Sequence, residues 1–284
     1  MQELMNTITT LQSNILVELA RYKFLTVSQM HRLGLGKDIS WIRTQAKQLT
    51  DSNAPLIERL IFSVTPRKGR VENVFFLTKR GKEALIDGLK MDENAVKMPI
   101  GNSTLFYKDY THRKNTIDFQ IAAYQWAQEQ ERSTYIDFFD CYFDKLGNNR
   151  TLGNLQAKNK IALDQEDYII PDGVFMLQTA QRPYLFLFEM YDGKDTKRVL
   201  EQVKKHVRAI AQGTPSEKYN YPFAHRVILV FEFEALKDAF IERTKNNVYF
   251  SEVSPCFRCK SIEGVERDFF TGWQNLTGET IDFL

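Results

Sequence analysis

The feature that most narrows the folds open to this chain is a change of hydrophobic period near residue 55. Before it, Ile8, Leu11, Ile15, Leu19 and Tyr22 recur at helical spacing, and after a break at residues 23–25 the spacing restarts with Val27, Met30 and Leu33. Thr26 or Ser28 can cap this second helix, and Gly34 and Gly36 supply the glycine expected past a helix C-terminus. A third helix is predicted from Asp38 or Ser40 to Leu49, with Ile39, Ile42, Ala46 and Leu49 on one face and Ser40, Arg43, Thr44, Lys47 and Gln48 on the other. Beyond residue 55 the pattern is that of strands. Residues 56–62 and Val64 lead into a basic turn, Pro66, Arg67, Lys68, Gly69 and Arg70, and residues 71–77 return from it. Thr78 then caps a fourth helix in the phrase LTKRGKEAL, and residues 91–110, with Pro99 and Gly101 and no clear period, read as a linker.

Three helices, a β-hairpin and a closing helix in this order resemble a winged helix-turn-helix domain over residues 8–90, and LTKRGKEAL is common in such domains. The resemblance implies a third helix in the major groove of double-stranded DNA, where Ser40, Arg43, Thr44 and Lys47 meet bases and phosphates. The wing residues Arg67, Lys68 and Arg70 would hold the backbone. Charge points the same way: residues 1–100 carry 15 Lys and Arg against 10 Asp and Glu, and the remainder 23 against 26. The alternative is a winged helix used for protein contacts, with its charges merely solvated. Trp41 reads either as a core or flank residue or as a base contact.

From residue 111 the pattern changes again. A largely buried helix is expected over residues 111–131, with Ile117, Ile121, Tyr124 and Ala127 on one stripe and Phe119, Ala122 and Trp126 beside it. Strands are expected over 135–143, 168–170 with 174–177, 184–191, 226–233 and 248–251, and helices over 197–211 and 235–244. Residues 144–166, rich in Asn, Gly and Lys, read as a long mobile connection. The sum is an α/β (α+β) chain: an N-terminal domain over 1–90, a linker over 91–110, and a mixed-sheet domain over 111–284.

Two carboxylates stand out there. Asp172 lies in Ile170-Pro171-Asp172-Gly173, and Glu189 ends the apolar run Tyr184-Leu185-Phe186-Leu187-Phe188. A carboxylate at the end of a buried strand needs a partner or a cation, and two from neighbouring strands would hold a divalent metal, Mg2+ or Mn2+, that activates water. Pro-Asp-Gly is also an ordinary turn tripeptide, and Glu189 has Lys194, Lys197 and Arg198 nearby in sequence. The order of elements resembles the PD-(D/E)XK restriction-endonuclease-like fold over residues 111–234. That fold places a lysine two residues after the glutamate, where this chain has Tyr191, and Lys194 is the nearest replacement. Over residues 10–235 the succession of winged helix, THRKNTIDFQIAAYQW, IIPDGVFMLQ and YLFLFEMYDGKDTKRVLEQVKKH resembles the replication-relaxation family of plasmid and integrative-element proteins. That resemblance implies a role in replication control, maintenance or mobilisation. His112, Arg113 and Asn115 open its buried helix, where His112 and Asn115 either fasten the helix or stand beside the carboxylates.

Three cysteines make no disulfide framework, and Cys256 and Cys259, spaced as in a zinc knuckle, lack the further ligands for one, so reduced thiols are expected. The first twenty residues have no basic n-region or cleavage site, and no apolar run nears the roughly 18 residues of a membrane span, so a cytoplasmic protein without membrane contact is expected. No phosphate-binding glycine loop or nucleophile elbow is present. Three readings follow. The first is a sequence-specific DNA-binding protein of a bacterial mobile element, with a structural or partner-binding second domain and a homodimer or a replication or mobilisation protein as partner. The second is a metal-dependent nickase using Asp172, Glu189 and Lys194, and the third a transcription regulator whose second domain dimerises or senses a ligand.

Overall fold

A computed structural model describes residues 8–62, 69–99, 109–146, 155–193 and 195–284. Arg67, Lys68 and Lys194, and residues 100–108 of the expected linker, lie outside them. The chain is mixed α/β and divides into two compact units, Met1–Asp109 and Tyr110–Leu284.

In the first unit α1 (Thr10–Tyr22), α2 (Val27–Arg32) and α3 (Ile39–Asp51) surround a small sheet of β1 (Leu25–Thr26), β2 (Ile57–Leu60) and β3 (Val74–Leu77) in the order β1-β3-β2. Each helix start is written locally. Thr9 caps α1 and Thr26 caps α2, each with a glutamine three residues on returning the bond, and Asp38 caps α3. The join at residues 23–25 is more than a break. Lys23 takes φ 70° and Leu25 and Thr26 pair with Phe75 and Val74, which adds a third strand to the expected hairpin. The start of the expected linker belongs to this unit, since Val96 is buried and Lys97 N–H donates to the Ala20 carbonyl at 2.9 Å.

Thr78 caps α4 (Lys79–Glu83) and accepts from Gly81 N–H, and the helix runs on through a π-turn, Ala84–Gly88. Gly81 is where this helix presses on the sheet: a Cβ there would lie 2.0 Å from the Leu56 carbonyl oxygen.

The second unit is built on a seven-stranded mixed sheet. The short edge strands β14 (Thr280–Ile281) and β13 (Trp273–Gln274) are followed by β12 (Phe257–Ser261), β11 (Arg226–Phe231), β10 (Tyr184–Tyr191), β9 (Gly173–Gln178) and β4 (Tyr135–Cys141). The central strand β10 is buried throughout, antiparallel to β9 and parallel to β11. A strand with no wet face needs cover on both sides. On one side the long helix α5 (Tyr110–Glu129) lays Phe119 flat on Phe188 at 4.0 Å, and Trp126, Phe269 and Phe283 extend the stack. On the other side α6 (Thr196–Gln212), which the short α7 (Thr214–Lys218) follows, brings Val199, Val203 and Val207, and α8 (Glu234–Thr244) brings Leu236, Phe240 and Ile241, against Tyr191, Leu229 and Phe231.

Three expectations are corrected here. Residues 248–251 form a helical turn, α9 (Val248–Ser251), because the Asn247 side chain caps Tyr249 N–H at 3.0 Å. The strand that completes the parallel set is β12, which contains Cys259, and its cations are buried by bonding to carbonyls: Arg258 to Phe283 and Pro255, Lys260 to Asp268 and Thr271. Finally, the described part of residues 144–166 is ordered. Two short ladders, β5 (Lys145–Leu146) with β6 (Gln156–Ala157) and β7 (Ile161–Ala162) with β8 (Tyr168–Ile169), bury Ile161 and Leu163, and Asn159 donates to the Pro171 carbonyl at 2.6 Å.

Gly81→Ala tests the helix contact through its sign. Alanine inside a helix normally gains about 1 kcal/mol over glycine, but here the methyl meets fixed backbone, and overpacking of that kind costs about 1–3 kcal/mol. Chemical denaturation should therefore show Gly81→Ala to be less stable than the parent. A more stable variant would mean that α4 can lift off Leu56 freely.

Candidate functional site

Two constellations are candidates for a functional site, one in each unit. In the first, α3 buries Ile42, Gln45, Ala46 and Leu49. Bonds from Thr9 to Gln45 (3.2 Å) and from Gln12 to Gln48 (3.0 Å) fix its rotation on α1. Ser40, Trp41, Arg43, Thr44 and Lys47 are thereby exposed, although Thr44 turns its hydroxyl back to the Ser40 carbonyl at 2.9 Å. Arg43 and Lys47 open into a concavity of about 640 Å3 that is also lined by the buried Val27 and Phe75 and by Arg59 and Arg70. Ser40, Trp41 and Thr44 do not line it, and Trp41, 54% exposed, is not a core residue.

Nothing in the sequence singles out Arg59. It lies on β2, whose middle residues Glu58 and Arg59 are exposed between buried Ile57 and Leu60, and only the strand's placement turns it into the groove. Among the described residues none of Arg43, Lys47, Arg59 and Arg70 enters an ion pair or a side-chain hydrogen bond, whereas Arg21, Lys82, Lys205 and Arg208 are all paired with carboxylates.

In the second unit β9 and β10 bring the two expected carboxylates together: Phe188 pairs with Gly173, so Asp172 and Glu189 fall opposite each other one step further on. Asp172 accepts from His112 Nε2 at 2.8 Å on one oxygen and from Met190 N–H at 2.7 Å on the other. The His112 Nδ1 lies 3.3 Å from Asp192, and the ring meets Tyr142 edge-on. Glu189 bonds instead to His206 Nε2 of α6 at 2.7 Å, in a fully buried contact. Tyr191 fills the position of the missing lysine. It is buried, and among the described residues its hydroxyl has no hydrogen-bond partner.

The electrostatics follow from this packing. Burial by itself pulls the His112 pKa down, but the adjacent charges and hydrogen bonds of Asp172, then Asp192, outweigh it and hold the imidazolium up to about 10. The same hydrogen bond from His112 keeps Asp192 below the usual carboxylate range. Burial raises Glu189, against the pull of His206, and burial raises the Tyr191 phenol with Glu189 and Asp172 adding to the effect. His225, buried beside His206, is pushed down to about 3. His112 and His206, the partners that complete the site, are the residues that sequence reasoning leaves undecided or misses.

This donor set, as arranged, does not fit a divalent cation. Asp172 has both oxygens on protein donors and Glu189 is turned to α6, and among the described residues no group of three or more His, Cys, Asp or Glu is placed to hold a metal ion. Cys141, Cys256 and Cys259 are free thiols, and no described helix is long and apolar enough to cross a membrane. Comparison of the chain with protein-family models, with curated proteins and with solved structures finds no match.

The raised pKa of His112 makes a signed prediction. A free histidine titrates near 6.5, so the extra stability is fully present below about pH 6.5 and is lost as pH rises through the folded value of about 10. The difference in denaturation free energy between the parent and His112→Gln should shrink over that interval. A difference independent of pH from about 6 to about 10.5 would mean that the ring is neutral between the two carboxylates.

Proposed function

We propose that the chain is a sequence-specific double-stranded DNA-binding protein of a bacterial plasmid or mobile element, acting in replication control or DNA mobilisation, with its DNA-binding face on the first unit. The element order α1-β1-α2-α3-β2-β3 and the three-stranded sheet β1-β3-β2 support the winged helix-turn-helix reading of this unit. The observation that carries the reading is the groove in which two cations of the exposed helix, Arg43 and Lys47, face two of the hairpin, Arg59 and Arg70, and none of the four is paired within the described residues. Unpaired cations from a helix that fits the major groove and a hairpin beside it suit bases on one side and phosphates on the other. The mobile-element role rests on the resemblance to replication-relaxation proteins.

The second unit supports this reading as a nuclease-like platform. Its helix, three antiparallel strands and following helix–strand pairs support the resemblance to the PD-(D/E)XK fold. Its carboxylates brace the elements around them: Asp172 joins the start of α5 to β10 through His112 and Met190 N–H, and Glu189 joins β10 to α6 through His206. No chemical step is assigned to them.

The binding site is to be recovered by selecting fragmented bacterial and mobile-element DNA on the full-length protein. On that site Arg43→Ala with Lys47→Ala should lose about tenfold or more in affinity, a base contact contributing about 1–3 kcal/mol. Arg59→Ala with Arg70→Ala should weaken binding to all sequences and flatten the dependence of log affinity on log salt by about 0.9 for each phosphate that is no longer neutralised. Unchanged binding by the Arg43 and Lys47 variant would remove α3 from the interface. A selected site at a promoter, away from any origin, would favour the regulator.

A further inference from the structure

The DNA-binding groove contains one charge of the wrong sign. Among the described residues lining it, Glu72 is the only acid, sharing the hollow with Arg43, Lys47, Arg59 and Arg70. It does not swing free. The Ser28 hydroxyl donates to Glu72 Oε1 at 2.8 Å and the Ser28 backbone N–H donates to the same oxygen at 3.2 Å. Nor does it neutralise its neighbours, because among the described residues no ion pair joins it to Arg43, Lys47, Arg59 or Arg70. A carboxylate that merely balanced a basic surface would sit against one of these cations, as Glu18 does with Arg21 at 3.2 Å. Glu72 is held instead by neutral donors, with its negative charge left on the groove.

From this placement we infer that Glu72 is a built-in brake on DNA binding: a fixed carboxylate that repels the phosphate backbone and lowers the affinity of the groove for all duplex DNA. The inference rests on the reading of this groove as the DNA-binding face. The physical effect is sequence-independent, since every register of every duplex brings phosphates to the groove. Phosphate contacts alone hold a protein on bulk DNA, so a carboxylate that weakens them lowers the fraction of protein trapped there and leaves occupancy to sites that add base contacts. The device costs affinity at the target as well, which base contacts offset.

Glu72→Gln is the test, because the amide keeps the shape and an acceptor for Ser28 while removing the charge. Affinity is measured by fluorescence anisotropy on the full-length protein with the selected duplex and with a scrambled duplex, from about 0.05 to about 0.5 M salt. Removing one like charge about 4 Å from a phosphate in water should tighten binding to both duplexes about fivefold at low salt. The gain should vanish by about 0.5 M, where the screening length falls to a few ångströms. Glu72→Ala, which leaves Ser28 to water, should give the same gain and serves if the Gln variant does not fold. Equal affinity of parent and variants at every salt concentration would overturn the brake while leaving the groove as the binding face. Weaker binding by both variants would overturn it in another way, by making Glu72 an acceptor of a base amine. If the folded parent and both variants bind neither duplex, the reading of the groove itself fails and the brake with it.

Discussion

Burial of β10 along its whole length is the constraint on which the second unit depends. Its eight residues, Tyr184–Tyr191, are all buried, with Phe186 and Phe188 toward the aromatic stack of α5 and Leu185, Leu187 and Tyr191 toward α6 and α8. A carboxylate inside such a strand loses its hydration, and the loss is tolerable only against a hydrogen-bonding partner. Glu189 therefore dictates a polar residue on the helix above it. His206 is that residue, on the otherwise apolar inner face of α6 formed by Val199, Val203 and Val207. Asp172 is under the same pressure one strand away and resolves it with a backbone N–H and with His112 at the start of α5. The two histidines thus register both covering helices against the sheet.

The legibility of the fold follows the range of the forces involved. In the first unit the ends of the helices are readable because Thr26, Asp38 and Thr78 act on backbone groups two or three residues away. The strand at Leu25–Thr26 is not, because two residues carry no period and their partners, Phe75 and Val74, are remote in sequence. Similar physics explains the errors near the C-terminus. Residues 248–251 have strand-like composition, yet a single Asn247 cap decides for a helical turn. In β12, Arg258 and Lys260 hide a buried strand, since their charges reach carbonyls as far along the chain as Asp268 and Phe283 and no local pattern records that.

The carboxylate site is half legible for a similar reason. Asp172 and Glu189 announce themselves by position, one in a tight turn and one closing an apolar run. Their partners come from residues 60 positions before Asp172 and 17 after Glu189, where only helix rotation settles which side chain arrives. The signal for His206 is present in α6: a titratable side chain in register with Val199 and Val203, on the face that must be dry. Arg59 has a weaker one, an exposed cation on a strand beside a basic turn.

The two units treat their surface cations differently. On the second half of α6 the cations are neutralised within the unit: Lys204 pairs with Glu201, Lys205 and Arg208 converge on Asp167, and Arg208 also reaches Asp164. Such exposed pairs contribute little to stability, but they remove the self-repulsion of like charges. Around α3 the opposite choice is made. Arg43, Lys47, Arg59 and Arg70 face one hollow, and the acid that lines it with them, Glu72, is turned to Ser28. Among the described residues lining it, four cations face a single acid, and that excess of positive charge favours entry of an anion into the hollow.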